Sequence, residues 1–150
     1  MIRHHRELAR TLDYLETRPD FDAERIAYQG LSWGAYAAPI HAALERRFRA
    51  VDIIGGGFYW ETYVPELGSP EWDPVNFAPR VKAPLLMQQG QYDAFYPLDT
   101  NARRLFGLFG TPEKDKHLIV YPTGHSVWLL NEHRKDTRDF LDRYLGPVSR

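Results

Sequence analysis

Ser32 sits in Gly30-Leu31-Ser32-Trp33-Gly34, Asp93 closes Gly90-Gln91-Tyr92-Asp93, and His125 closes Tyr121-Pro122-Thr123-Gly124-His125. A serine, a histidine and an acid can together carry acyl transfer. The imidazole takes the hydroxyl proton during attack and later gives it to the leaving group. The carboxylate fixes the imidazole tautomer and stabilises the imidazolium that forms. The pattern G-x-S-x-G arises by chance in a chain with 11 glycines, so its setting decides its weight.

That setting is a strand followed by a helix. Residues 25–30 (RIAYQG) are a short apolar run ending in glycine, which predicts a buried strand. Residues 32–48 (SWGAYAAPIHAALERRF) are rich in alanine and predict a helix, with Pro39 bending it or sitting in its first turns. A strand-to-helix turn centred on serine is what a nucleophile elbow requires. Gly30 and Gly34 let the backbone close around Ser32, whose φ/ψ is expected to be strained. The N–H of Trp33, opening the helix, is the candidate oxyanion donor. The competing reading is a serine N-cap on an ordinary turn.

The acid and the base follow further strands. Leu8, Leu12 and Leu15 mark one face of a first helix over residues 3–17. Residues 50–57 (AVDIIGGG), 83–90 (APLLMQQG) and 116–122 (KHLIVYP) predict three more strands. Helices are predicted over residues 98–110, capped by Asp99 or Thr100, and over residues 126–145, ending at Gly146-Pro147. Strands separated by helices imply an α/β fold with a mainly parallel sheet of about four strands. All carboxyl ends of such a sheet share one edge, where sites form. Asp93 and His125 each lie three residues beyond a strand end, so they converge on Ser32 from 61 and 93 residues away.

Composition narrows the function. The 150 residues suit one domain over 1–150, and 43% hydrophobic content supports a packed core. A net charge of −1 gives no basic field for nucleic acid or an anionic membrane. There is no cysteine, hence no disulfide and no thiolate metal site. No uncharged apolar run follows Met1, so neither a leader nor a membrane span is expected and the chain is expected in the cytoplasm. No cofactor and no metal are expected: the histidines are dispersed and H-E-x-x-H is absent.

The residues 22–38 (DAERIAYQGLSWGAYAA), 77–97 (FAPRVKAPLLMQQGQYDAFYP) and 120–128 (VYPTGHSVW) resemble the α/β-hydrolase segments that deliver nucleophile, acid and histidine, in that family's order. The nearest resemblance is to the C-terminal part of dienelactone-hydrolase-like and prolyl-oligopeptidase-like serine hydrolases, over nearly all of residues 20–145. It implies a serine esterase or peptidase, with Ser32 where true dienelactone hydrolases hold cysteine. Complete members have several strands before the elbow, where this sequence has one helix. The resemblance therefore implies a shortened fold, with one oxyanion donor (Trp33) identified and a second of unassigned source. Losing one donor costs roughly 10² to 10³ in turnover. A shortened sheet would leave residues 25–30 as an unprotected edge, which predicts a homodimer or larger assembly.

Other residues receive structural roles. His117 reads as a strand residue and His41 as helix packing, while His4, His5 and His133 read as solvated. Glycines 55–57 lack the spacing of a dinucleotide loop. Asp52 is a second candidate acid, with Asp93 preferred for its loop position. Phe58, Tyr59, Trp60 and Tyr63, with Trp72 and Phe77, supply aromatic surface for an acyl pocket or else cover a small core. The expected function is a carboxylesterase acting on small short-acyl esters through an acyl-enzyme on Ser32. The alternative is a catalytically silent module serving assembly.

Overall fold

A computed structural model describes residues 1–58 and 70–147. Eight elements position the site: α1 (Ile2–Glu16), β1 (Ile26–Leu31), α2 (Trp33–Leu44), β2 (Phe48–Ile54), β3 (Leu85–Gly90), α3 (Arg103–Leu108), β4 (Lys116–Tyr121) and α4 (Asn131–Leu145). The four strands form one parallel sheet in the order β1-β2-β3-β4.

The continuous apolar runs of β2 and β3 follow from burial on both faces. Val51, Ile53, Leu85 and Met87 join Leu12 of α1, Ala35 and Ala38 of α2 and Leu105 of α3 in the main core. The alternate residues Ala50 and Leu86 pack on the other face against Phe140 of α4. Leu8 and Leu15 pack with Leu12 against the main core, as the periodicity of α1 predicts.

Two polar residues interrupt the α4 face. Asp52 Oδ1 accepts from Gln88 Nε2 at 2.9 Å, and its Oδ2 accepts from Gln29 Nε2 at 2.9 Å and Thr137 Oγ1 at 3.0 Å. Gln88 Oε1 lies 2.9 Å from His133 Nδ1 and 2.7 Å from the Tyr121 hydroxyl. Burial raises the Asp52 carboxyl above its ordinary value, against the lowering effect of its three donors. This network joins the sheet to α4. His133 is therefore buried rather than solvated.

Element boundaries differ from expectation in several places. The helix expected over residues 32–48 ends at Leu44, where Glu45 turns extended, and Phe48 already opens β2. The chain leaves β2 at Gly55, whose φ of 57° breaks the extended run, so the three glycines lie outside the strand. Leu98–Ala102 is a π-type turn before α3, and Asp99 lies inside it, bonding Arg103 Nε at 3.0 Å instead of capping. α4 begins at Asn131, preceded by a 3₁₀ turn over Val127–Leu129. Val127, in that turn, packs in a cluster with Ile54 and Tyr121.

Candidate active site

The elbow is built by sterics. Ser32 has φ 52° and ψ −106°, and no other described non-glycine residue has positive φ. Such a conformation costs on the order of 1–3 kcal/mol and must be imposed by its surroundings. The Ser32 N–H is tied to the Ile54 carbonyl at 2.9 Å, and the Ser32 carbonyl accepts from Tyr36 N–H at 2.9 Å. A Cβ on Gly30 would press into the Gly34 carbonyl and come within 2.8 Å of the Tyr28 ring. A Cβ on Gly34 would meet only the Tyr28 hydroxyl, at 3.9 Å. The close turn thus needs glycine at 30 and has room for a side chain at 34.

The three candidate residues meet. Ser32 Oγ lies 2.8 Å from His125 Nε2, and His125 Nδ1 lies 2.8 Å from Asp93 Oδ2. Asp93 is buried, and hydrogen bonds replace the water it has lost. Its Oδ1 accepts from the N–H groups of Phe95 at 2.8 Å and Tyr96 at 3.0 Å. Its Oδ2 accepts from Gln89 Nε2 at 2.8 Å as well as facing the imidazole. Gln89 also donates to the Tyr96 carbonyl at 2.9 Å, so it fixes the acid loop from β3. Sequence reasoning missed this glutamine. The available signal was an amide in a buried strand position just ahead of the acid.

The imidazole is held by ring contacts and by a fitted backbone. Phe95, Tyr96 and Trp128 lie 4.9, 5.9 and 5.6 Å from its centroid. A Cβ on Gly55 would come within 3.3 Å of the His125 ring and 3.2 Å of its carbonyl oxygen. Glycine there admits the histidine to the sheet edge. Trp33 opens α2, so its N–H has no intrahelical carbonyl to bond. Phe58 packs its ring against the main core. Its backbone is clamped by Asn101, whose Oδ1 accepts from Phe58 N–H at 3.0 Å and whose Nδ2 donates to the Phe58 carbonyl at 2.7 Å. Tyr59, Trp60 and Tyr63 lie outside the described residues. Asp52 is on the α4 face and bonds Thr137, Gln29 and Gln88, not His125.

A histidine cluster supports the helix behind the elbow. His4 Nδ1 lies 3.0 Å from His41 Nε2, and His5 Nδ1 lies 3.3 Å from His41 Nδ1. His4 and His5 are thus engaged by the other helix, not merely solvated. His4 also meets the Trp33 ring edge-on at 5.2 Å. His41 is fully buried, and burial, helped by the charges of His4 and His5, pushes its imidazole down to about 4. The unfolded chain therefore binds a proton between pH 6.5 and 4 that the native state refuses, and stability falls as pH drops through that window. The expected result is a melting temperature that declines from pH 6.5 to pH 4 more steeply for the wild-type chain than for His41→Gln. Equal slopes would contradict it.

No protein-family model matches the chain. Over 145 residues it is 26% identical to the acetyl esterase Axe7A of Xylanibacter ruminicola, a match covering 83% of this chain and 30% of that protein. It superposes on the acetyl xylan esterase of Paenibacillus sp. R4 with a TM-score of 0.75 at 25% identity, covering 94% of this chain and 52% of that one. It superposes on a 2,6-dihydroxy-pseudo-oxynicotine hydrolase with a TM-score of 0.77 at 18% identity, covering 95% and 46% respectively. The chain thus spans 30% of the curated relative's length and about half of these two solved structures. With its four-stranded parallel sheet and flanking helices, the chain has the α/β-hydrolase fold of the dienelactone-hydrolase-like and prolyl-oligopeptidase-like kind.

Proposed function

We propose that the chain is a serine carboxylesterase that cleaves small, short-acyl esters. One observation carries the reading: the unbroken relay from Ser32 Oγ through His125 to Asp93, with both links at 2.8 Å. In this reading Ser32 Oγ attacks the acyl carbon while His125 Nε2 takes its proton. The carbonyl oxygen becomes an oxyanion facing the Trp33 N–H. Collapse breaks the bond to the alcohol oxygen, which receives the proton from His125. Water then attacks the acyl-enzyme by the same route and releases the acid. Asp93 keeps the proton of the resting imidazole on Nδ1, leaving Nε2 free to accept.

An acetyl group is the acyl part in the names of two relatives, which supports a short acyl chain here. Tyr59, Trp60 and Tyr63 are proposed as residues that contact the acyl group, whereas the Phe58 ring packs against the main core. p-Nitrophenyl acetate should be cleaved with higher kcat/KM than p-nitrophenyl octanoate. A preference for octanoate would overturn the short-acyl reading, and no hydrolysis of either ester would overturn the esterase reading.

Among the described residues β1 pairs only with β2. An apolar strand edge invites a partner, and we propose that a second copy of the chain covers it. Light scattering at micromolar concentration should give a dimer mass or more; a monodisperse monomer would refute this. No described helix is long and apolar enough to cross a membrane.

A further inference from the structure

We propose that Phe95 selects the alcohol half of the ester, and that this alcohol carries a flat ring. The proposal rests on the serine-esterase reading and extends it to the leaving group. Direction comes from the proton. His125 returns it to the departing oxygen, so the alcohol half must lie against the imidazole edge. Phe95 and Trp128 flank that imidazole, with Phe95 tilted 55° to it and Trp128 edge-on at 90°.

Phe95 is 68% exposed. Its backbone cannot carry the ring inward, because its N–H is committed to Asp93 Oδ1 at 2.8 Å. The acid that orients the histidine thereby also fixes an open aromatic face beside it. Five of the nine large exposed apolar residues described fall within four residues of Ser32, Asp93 or His125 in the chain. Leu31 and Trp33 flank Ser32, Tyr92 and Phe95 bracket Asp93, and Leu129 follows His125. The other large exposed apolar residues described, Ile2, Tyr14, Leu44 and Leu108, lie on α1 and at the far ends of α2 and α3. Among these, the exposed Phe95 ring is in contact with the His125 imidazole, at 4.9 Å between centroids, and offers its open face to a ligand there. A ring seated offset on Phe95 gains what an aromatic pair gains, roughly threefold to tenfold in affinity.

Benzyl acetate and n-hexyl acetate test this. Both release primary alcohols of similar acidity, so their ratio of kcat/KM reports recognition and not leaving-group reactivity. The wild-type chain should favour benzyl acetate roughly threefold to tenfold. Phe95→Ala should erase the preference by raising KM for benzyl acetate, and Phe95→Tyr should keep it. Leu108→Ala, at the end of α3, should leave both rates unchanged. An equal ratio in the wild-type and Phe95→Ala enzymes, with p-nitrophenyl acetate still cleaved, would overturn the leaving-group assignment and spare the esterase reading. Failure to cleave any of the three esters would overturn both.

Discussion

Ser32→Ala lowers kcat/KM for p-nitrophenyl acetate by a factor on the order of 10⁴ to 10⁶ while the chain keeps its melting temperature within about a degree or two. The expected loss is large because Ser32 Oγ is the sole hydroxyl in contact with His125 Nε2 among the described contacts. Without it the imidazole has no proton to move. Stability is preserved for a separate reason. Ser32 holds φ 52°, and alanine carries the same Cβ, so the strain of the elbow is the same before and after. The backbone bonds to Ile54 and Tyr36 do not involve the hydroxyl. Circular dichroism and steady-state kinetics on the same preparation check both halves. Retained turnover in a folded Ser32→Ala protein would move the nucleophile elsewhere.

Asp93→Asn is expected to cost about 10⁴ in kcat with the binding of substrate little changed. The direction follows from hydrogen-bond accounting at the carboxylate. Oδ1 accepts two backbone N–H groups, from Phe95 and Tyr96, which cannot change sign. The asparagine oxygen must take that position. Its NH₂ then faces His125 Nδ1 and Gln89 Nε2. Two N–H donors cannot face each other, so the imidazole turns to the tautomer that accepts at Nδ1. Its proton then sits on Nε2 and points at Ser32 Oγ. An imidazole in that state cannot take the serine proton. Asp93→Asn with wild-type kcat would show that the carboxylate does not set the tautomer.

The positions of Ser32, Asp93 and His125 were readable because each follows a strand whose apolar run is plain. A parallel sheet then brings its strand ends to one edge whatever the sequence distance. The parallel four-strand sheet was readable for the same reason, and α1 from the spacing of its leucines. What escaped depends on how elements cross. His41 meets His4 and His5 only because α1 lies over α2, and no local pattern encodes that crossing. His133 reads as solvated from its charged neighbours, yet it turns inward to Gln88. Gly30 and Gly34 look equivalent in the motif. Their difference lies in which one faces the opposite side of the turn. Gln89 was hidden by its apolar company, since its value lies in reaching a loop four residues on.

The central proposal is that His125 and Asp93 make Ser32 nucleophilic. Incubation of the folded chain with a fluorophosphonate, followed by intact-mass and peptide mapping, tests this most directly. A single phosphonyl adduct is expected on the peptide containing Ser32, formed in the wild-type chain and absent from Ser32→Ala. An unmodified Ser32 in folded protein, or an adduct at another residue, would contradict it.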